Sequence, residues 1–324
     1  MTYFSNQSDT RFSETASNLS SNMSGNVRPL MTGAKGTGLV LSAGGARGAY
    51  HIGAWRAFQE KGLRFDAFSG SSIGALNSAL VCQGDWDKAY RLWIEMPTIS
   101  IVKPDAERLA RFLLTMATDV GLMLLPIPNL RLLRMLKPVL VGIKIASRYG
   151  FAGAFAREGL IDMLSFQPFI SQFLDMKKVV DCRQPVFSCV YEAPRAFKPL
   201  GHTRHIRLQE LSADQAWAVL AASASLPLIF STVGIDNIPY IDGGLGSWMP
   251  IEPLMKRQLD QIWAVSTSAG YKPRHFHKVA HSTRLKVLQP QKSLGRFPVA
   301  TFGFTRDNIE RWIETGYTET RNSL

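Results

Sequence analysis

Residues 38–48 read Gly-Leu-Val-Leu-Ser-Ala-Gly-Gly-Ala-Arg-Gly, an apolar run that leads into a glycine-rich turn. Residues 48–61 follow with apolar side chains at helical spacing. Residues 65–81 repeat this order, with a short apolar run, the turn Gly70-Ser71-Ser72-Ile73-Gly74 and a helix of small residues. Strand, tight turn and helix in alternation indicate a parallel sheet that is covered by helices on both faces, which places the chain in the α/β class.

The same alternation returns in the second half of the chain. Residues 185–191, 205–208, 238–241, 261–267 and 284–288 are predicted strands, and residues 213–224 and 305–316 are predicted helices. We expect the folded domain to span residues 37–320. Residues 1–36 are rich in Ser, Asn, Thr and Gly without apolar periodicity, which predicts a disordered tail and no secretory signal.

Residues 97–160 interrupt the alternation, and they predict a helical insertion that is both basic and apolar. From residue 120 to residue 157 there are six basic residues and no acidic one. Leucines that alternate with Arg131, Arg134, Lys137 and Lys144 suit a helix lying in a membrane interface. A helical cap packed on the core fits the same pattern, and no apolar run reaches the ~20 residues that a spanning helix needs.

Net charge and cysteine usage restrict the compartment and the partners. The 324-residue chain carries 37 Lys and Arg against 25 Asp and Glu, a net charge of +12, which favours an anionic partner such as a membrane surface. Three scattered cysteines indicate a reducing compartment. We therefore expect a cytoplasmic protein that associates peripherally with the inner face of the membrane. Motifs that bind nucleic acid polymers are missing from the sequence.

The turn at residues 70–74 has the Gly-x-Ser-x-Gly pattern of a nucleophile elbow. A sharp turn between strand and helix exposes the Ser72 hydroxyl at the edge of the sheet, and Gly70 and Gly74 let the neighbouring backbone pass. A serine becomes a strong nucleophile only beside a base and close to donors that stabilise the oxyanion. The spacing selects Ser72 as the nucleophile and not its neighbour Ser71.

The glycine-rich turn at the start of the first helix supplies amide donors. Free N–H groups at a helix N-terminus attract negative charge, which predicts an oxyanion hole at Gly44, Gly45, Ala46, Arg47 and Gly48. Arg47 is expected to steady this loop or to contact phosphate. A dinucleotide site is the competing interpretation, but its ribose-binding acid should end the second strand, whereas Asp66 begins it.

A carboxylate follows the later strand at Asp242-Gly243-Gly244 and can accept the serine proton directly. An ordinary Asp-Gly hairpin turn is the alternative for this segment. His275, His277 and His281 come later, so the Ser–Asp–His order of an α/β-hydrolase esterase stays open. The histidines lack carboxylates or cysteines at ligand spacing, and we expect no metal and no cofactor.

The three motifs in this order resemble the patatin-like phospholipases, which join a G-G-G-x-[RK]-G loop, a G-x-S-x-G elbow and a distal D-G-[GA]. The resemblance extends to residues 222–230 and to Gly316-Tyr317, and it departs at Ala43, where the family has the first glycine. It implies a three-layer α/β/α sandwich with a mainly parallel central sheet. It also implies a Ser–Asp dyad without histidine and phospholipase A-type hydrolysis of fatty acyl esters through an acyl-enzyme.

The resemblance also suggests partners. It implies a phospholipid substrate presented at an anionic membrane surface. Some bacterial members of the family resemble antiphage effectors that cyclic nucleotides switch on. This resemblance implies a cyclic nucleotide activator, for which the basic C-terminal region is the candidate site.

Overall fold

The structure is a computed structural model that describes residues 36–98, 162–193, 201–227, 229–257, 259–273, 283–296 and 299–324. The predicted tail, apart from Gly36, lies outside the described residues. The predicted insertion at 97–160 also lies outside them, apart from the end of a short 3₁₀-helix at Met96–Thr98.

Eight strands form one sheet in the described part of the chain: β1 (Thr37–Leu41), β2 (Ala67–Ser71), β3 (Val186–Glu192), β4 (His202–Arg207), β5 (Val233–Ile235), β6 (Ile238–Asp242), β7 (Gln261–Val265) and β8 (Arg284–Leu288). Their order is β5-β6-β3-β2-β1-β7-β8, and β4 also pairs with β3. Strands β3, β2, β1, β7 and β8 are parallel to one another. The prediction of a parallel sheet is confirmed for these five strands.

The other strands make the sheet a mixed one. Strands β4 and β6 pair antiparallel with β3, and β5 pairs antiparallel with β6. Strand β5 is absent from the sequence-based prediction. A two-residue turn joins it to β6, and both turn residues, Asp236 and Asn237, have positive φ (51° and 59°). Turns with this backbone conformation suit the twist of an antiparallel hairpin, and they explain why β5 pairs antiparallel with β6.

Eight α-helices are described: α1 (Ala49–Glu60), α2 (Ile73–Gln83), α3 (Trp86–Glu95), α4 (Gln167–Ile170), α5 (Met176–Val180), α6 (Ala213–Ser223), α7 (Glu252–Met255) and α8 (Arg306–Ser323). None of these described helices is long and apolar enough to cross a bilayer. Helix α3 and the short helices α4, α5 and α7 are additions to the sequence-based prediction. Asp85 caps the start of helix α3, and its carboxylate accepts a hydrogen bond from the Lys88 N–H at 3.0 Å. Such a cap satisfies a backbone donor that would otherwise be unpaired at the helix start.

Alternation along the central strands creates the layers. Leu39 and Leu41 of β1 pack into a large core with helices α1, α2, α6 and α8, whereas Val40 faces a smaller core. That smaller core contains Leu254 of α7. Successive strand residues point to opposite faces of a sheet, so apolar side chains on both faces require a cover on each side. The described residues thus form the three-layer α/β sandwich that the sequence predicts.

Helix α8 runs seven residues beyond the predicted end at Gly316. A Cβ at Gly316 would overlap the backbone carbonyl oxygen of Tyr50 in α1, so the glycine permits two helix backbones to approach closely. A Cβ at Gly53 of α1 would likewise overlap the carbonyl of Ile313. Gly316 therefore serves packing and does not end the helix.

Replacing Gly316 by alanine is expected to lower the free energy of unfolding by about 1–3 kcal/mol, because an added methyl group forces the helices apart. In an ordinary helix interior the same change stabilises by about 1 kcal/mol, so the sign of the effect is diagnostic. Gly234→Ala is the control, since a Cβ there meets no atom within 4 Å. Denaturant unfolding measures both variants. An equal or higher stability for Gly316→Ala would contradict the close packing.

Candidate active site

Two strand ends meet on one edge of β3 and bring Ser72 and Asp242 together. Strand β4 occupies one edge of β3 from residue 187 to residue 192. Strands β2 and β6 must therefore share the opposite edge, one after the other. The last residue of β2 pairs with Cys189, and Asp242 at the end of β6 pairs with Val190, the next residue of β3. The register thus aligns two segments that lie 170 residues apart.

Ser72 has the backbone geometry of a nucleophile elbow. It stands between β2 and α2 with φ 55° and ψ −130°, a conformation that costs a non-glycine residue about 1–3 kcal/mol. Gly70 and Gly74 lie backbone to backbone, and side chains at these positions would overlap carbonyl groups. The strained turn holds the Ser72 side chain at the carboxyl end of the parallel strands.

The side chains of Ser72 and Asp242 are hydrogen-bonded. The Ser72 hydroxyl donates to Asp242 Oδ2 at 2.6 Å, and the Gly244 N–H donates to Asp242 Oδ1 at 2.7 Å. Both side chains are nearly buried, with 8% of Ser72 and 5% of Asp242 exposed. Burial raises the pKa of Asp242 to about 6, and the hydrogen bonds from Ser72 and Gly244 oppose that rise. The Asp242 carboxyl is thus ionised and able to act as a base at neutral pH, and it becomes protonated as the pH falls below about 6.

Ser223 at the end of α6 orients the elbow from behind. Its hydroxyl accepts a hydrogen bond from the Ser72 N–H at 2.9 Å and donates to the Cys189 carbonyl at 2.5 Å. The sequence gives no role to Ser223, although it lies in the stretch that resembles the family. The only sequence signal at this position is a serine at the end of a predicted helix of mostly apolar residues. In the structure this serine is fully buried.

The glycine-rich loop places two unpaired amides against the cavity that contains the dyad. Gly44 and Gly45 line this cavity, and Gly45 has a φ of 58°. No acceptor within the described residues pairs with either N–H. The Ala46 N–H donates to the Thr301 carbonyl at 2.9 Å, so it is not available to an oxyanion in this conformation. We therefore remove Ala46 from the predicted donors of the oxyanion hole, and Gly44 and Gly45 are the donors whose unpaired N–H groups belong to residues that line the cavity.

Ala43 occupies the position where the family has the first glycine of the loop, and this difference removes no hydrogen-bond donor from the oxyanion hole. Its N–H donates to the Trp248 carbonyl at 2.9 Å, and its own carbonyl accepts from the Thr267 hydroxyl at 2.7 Å. The residue thus anchors the loop to two other segments. Its methyl group is buried in the wall of the cavity.

Arg47 stabilises the loop that contains it. Its Nε donates to the Gly44 carbonyl at 3.1 Å, and its Nη2 donates to the Thr301 hydroxyl at 3.3 Å. The sequence predicts that Arg47 either stabilises the loop or contacts phosphate, and these two hydrogen bonds favour stabilisation of the loop. Thr301 lies outside the three sequence motifs, yet it holds the loop through both its carbonyl and its hydroxyl.

Asn77 connects the far end of the loop to the helix that begins after Ser72. Its amide nitrogen donates to the Gly48 carbonyl at 3.0 Å and lies 3.2 Å from His51 Nδ1. Its oxygen accepts from the Trp93 indole N–H at 3.0 Å. Burial lowers the pKa of His51 to about 3, so this ring is neutral and belongs to the packing.

The dyad opens into a cavity of about 300 Å³ whose walls are mostly apolar. The apolar lining comes from several parts of the chain: Ile73, Leu76, Met96, Met163, Phe166, Phe169, Ile170, Leu226, Phe230, Leu245, Trp248, Phe302 and Phe304. Ser72, Asp242, Arg47 and Thr301 are the side chains that bring polar groups to it. A cavity with this lining accommodates a hydrocarbon chain beside a small polar centre.

Several predicted residues lie outside the described part of the chain. These are the candidate membrane residues Arg131, Arg134, Lys137 and Lys144, and the alternative bases His275, His277 and His281. Among the residues that the structure describes, no histidine lines the cavity. The same residues contain no group of His, Cys, Asp and Glu arranged to hold a metal ion.

The chain belongs to the patatin-like phospholipase family, whose model matches residues 39–255. The neuropathy target esterases sws of Drosophila persimilis and Drosophila melanogaster are both 46% identical to it over 67 residues, which is 17% of this chain and 5% of each relative. The chain therefore spans only a small part of these relatives.

The solved structures to which the chain is similar share little sequence with it. VipD from Legionella pneumophila is 14% identical with a TM-score of 0.41, covering 91% of this chain and 69% of VipD. The type III effector ExoU is 15% identical with a TM-score of 0.38, covering 89% of this chain and 52% of ExoU. Human GIVD cytosolic phospholipase A2 is 14% identical with a TM-score of 0.37, covering 97% and 61%.

Proposed function

We propose that this protein is a lipid acyl hydrolase of the phospholipase A type, with Ser72 as nucleophile and Asp242 as its base. One observation carries the proposal: a hydroxyl and a carboxylate 2.6 Å apart at the polar centre of an apolar cavity. Membership of the patatin-like phospholipase family supports the same activity. The dyad is favoured over a Ser–Asp–His triad because Asp242 bonds Ser72 directly, with no space for an intervening imidazole.

In the first half of the reaction the ester carbonyl carbon lies above Ser72 Oγ. Asp242 Oδ2 takes the hydroxyl proton while Oγ bonds to the carbonyl carbon, and the carbonyl oxygen becomes an oxyanion. The N–H groups of Gly44 and Gly45 would stabilise this charge, a contribution of typically ~3 kcal/mol per donor. The C–O bond of the ester then breaks, and the proton on Asp242 passes to the departing lysolipid alkoxide.

In the second half a water molecule replaces the lysolipid beside Asp242. The carboxylate takes a proton from this water while its oxygen attacks the acyl carbon, and the same amides stabilise the second oxyanion. The bond between the acyl carbon and Ser72 Oγ then breaks, and Oγ regains its proton from Asp242. Fatty acid leaves, and the chain's own residues supply every group that the cycle needs.

The apolar walls of the cavity indicate which part of the substrate they bind. Fifteen apolar side chains line the cavity, including those of Ala43 and Ala224, so the acyl chain fits there better than a charged head group. Arg47 bonds the loop and Thr301, and we assign it no contact with substrate phosphate. A cyclic nucleotide activator and an antiphage role stay predictions of the sequence.

Purified protein incubated with separate phospholipids, lysophospholipids and triacylglycerols tests the proposal. We expect fatty acid and lysophospholipid in equal amounts from a diacyl phospholipid in the first turnovers. Mass spectrometry of the products and titration of the released fatty acid make the measurement. Release of a phosphorylated head group in place of fatty acid, or no cleavage of any ester in the panel, would contradict the proposal.

A further inference from the structure

Thr301 contacts three successive residues of the glycine-rich loop from a distant part of the chain. The Ala46 N–H donates to its carbonyl at 2.9 Å, and Arg47 Nη2 donates to its hydroxyl at 3.3 Å. A Cβ on Gly45 would overlap the same carbonyl oxygen, so the two backbones lie directly against each other. Thr301 lies beyond residues 39–255, which match the family model, so membership of the family assigns it no role.

The contacts of Thr301 fix the two peptide groups that flank Gly45. A peptide group is planar, and in the trans form its N–H points away from its C=O. The peptide group after Gly45 carries the Ala46 N–H, which is bonded to the Thr301 carbonyl. The peptide group before Gly45 joins the Gly44 carbonyl to the Gly45 N–H, and Arg47 Nε donates to that carbonyl at 3.1 Å. Because the Thr301 hydroxyl holds the same guanidinium, Thr301 acts on one peptide group directly and on the other through Arg47.

The direction of the Gly45 N–H decides how well it can stabilise an oxyanion. Gly45 lines the cavity that contains Ser72, and its N–H has no acceptor among the described residues. A hydrogen bond weakens steeply as its angle departs from linearity, and a donor lowers a barrier most when it is in place before the reaction starts. Glycine also rotates more freely than any other residue. This donor therefore needs a support from outside the loop, and Thr301 is placed to provide it.

We propose that Thr301 is a positioning residue that fixes the Gly45 N–H for the oxyanion, directly through its carbonyl and indirectly through Arg47. The inference deepens the proposed function and rests on it for its catalytic consequence. The oxyanion forms in the transition state and not in the bound ester, so only the transition state needs the aligned donor. Loss of the Thr301 hydroxyl is therefore expected to lower kcat and to leave KM nearly unchanged.

Two substitutions of Thr301 separate its hydroxyl from its shape. Thr301→Val removes the hydroxyl that accepts from Arg47 and keeps the branched shape and the backbone carbonyl, whereas Thr301→Ser keeps the hydroxyl. Thr305→Ala is the matched control, since Thr305 follows in the same segment and its hydroxyl accepts the Asn308 N–H at 3.4 Å at the start of α8. The contact that the control loses lies within α8 and not in the glycine-rich loop.

Kinetics on the water-soluble ester p-nitrophenyl butyrate measure the effect. A second readout is inhibition by an alkyl trifluoromethyl ketone, whose adduct with an activated serine carries an oxyanion. We expect Thr301→Val to lower kcat by about tenfold, less than the loss of a whole donor, because the Gly45 N–H is misdirected but still present. KM should change by less than about twofold, and the Ki of the ketone should rise by about tenfold. Thr301→Ser and Thr305→Ala should stay within about threefold of the wild type in kcat and Ki.

Wild-type values of kcat and Ki in Thr301→Val would overturn the proposal. So would a loss that Thr301→Ser also shows or that Thr305→Ala shares, because either result assigns the hydroxyl to stability alone. If the wild-type protein cleaves no ester and binds no ketone, the proposed function fails, and hydrogen exchange of residues 43–48 then decides the positioning. Faster exchange of this loop in Thr301→Val than in Thr301→Ser supports the positioning, and equal exchange overturns it.

Discussion

Replacing Ser72 by alanine is expected to reduce the rate of fatty acid release by about 10⁴-fold or more. Only the acceleration that the oxyanion hole and substrate binding provide would then remain. The change removes the only hydroxyl that bonds Asp242 among the described residues, so no acyl-enzyme can form. The backbone contact between the Ser72 N–H and Ser223 does not involve the missing oxygen, and the fold should stay intact. Released fatty acid and circular dichroism measure the two effects.

Ser71→Ala is the control for the nucleophile. Ser71 is the last residue of β2 and is fully buried, but its hydroxyl makes no hydrogen bond with Asp242 within the described part of the chain. It is expected to keep most of the activity. A fluorophosphonate probe, which reacts with activated serines, should label the Ser71→Ala variant and leave Ser72→Ala unlabelled. Turnover that survives in Ser72→Ala would refute the assignment of the nucleophile.

Asp242→Asn is expected to lower kcat by about 10⁴-fold, because the amide cannot accept the serine proton. The wild-type enzyme should show a related dependence on pH. Since burial raises the pKa of Asp242 to about 6, the carboxylate becomes protonated below that value, and kcat/KM should fall about tenfold per pH unit there. A flat profile between pH 4 and 7 would contradict the role of Asp242 as base.

The same variant should be more stable than the wild type at neutral pH. An unfolded Asp has a pKa of about 3.9, so between about pH 4 and 6 the folded state holds a proton that the unfolded state has already lost. The free energy of unfolding of the wild type therefore falls as the pH rises through this window, by up to about 3 kcal/mol. Asparagine carries no such penalty. Thermal unfolding should show this gain in stability at pH 7 to 8 and little gain near pH 4. A variant that is more stable but inactive has lost the catalytic base and has kept its fold.

The motifs predict the pairing of Ser72 with Asp242 because both residues lie at turns with distinctive glycines. Ser223, Asn77 and Thr301 escape prediction for a physical reason. They are ordinary polar residue types without a local pattern, and their partners lie between 16 and 255 residues away. Only the assembled fold shows that such residues hold the elbow and the loop.

Errors at the element level have equally specific causes. Gly316 indicates a helix end when only the sequence is available, whereas its contact with Tyr50 requires a glycine inside the helix. The hairpin of β5 and β6 depends on Asp236 and Asn237, which lack the glycine that most often marks such turns.

The shared edge of β3 has a consequence for the order in which the proposed dyad assembles. Ser71, the residue before Ser72, pairs with Cys189, and Asp242 pairs with Val190, so the hydroxyl and the carboxylate meet only after β2, β3 and β6 have joined. In the unfolded chain the two side chains are separated by 170 residues of sequence. Under the proposed function, an unfolded copy is therefore without its base, and refolding should restore ester cleavage only when the sheet has formed.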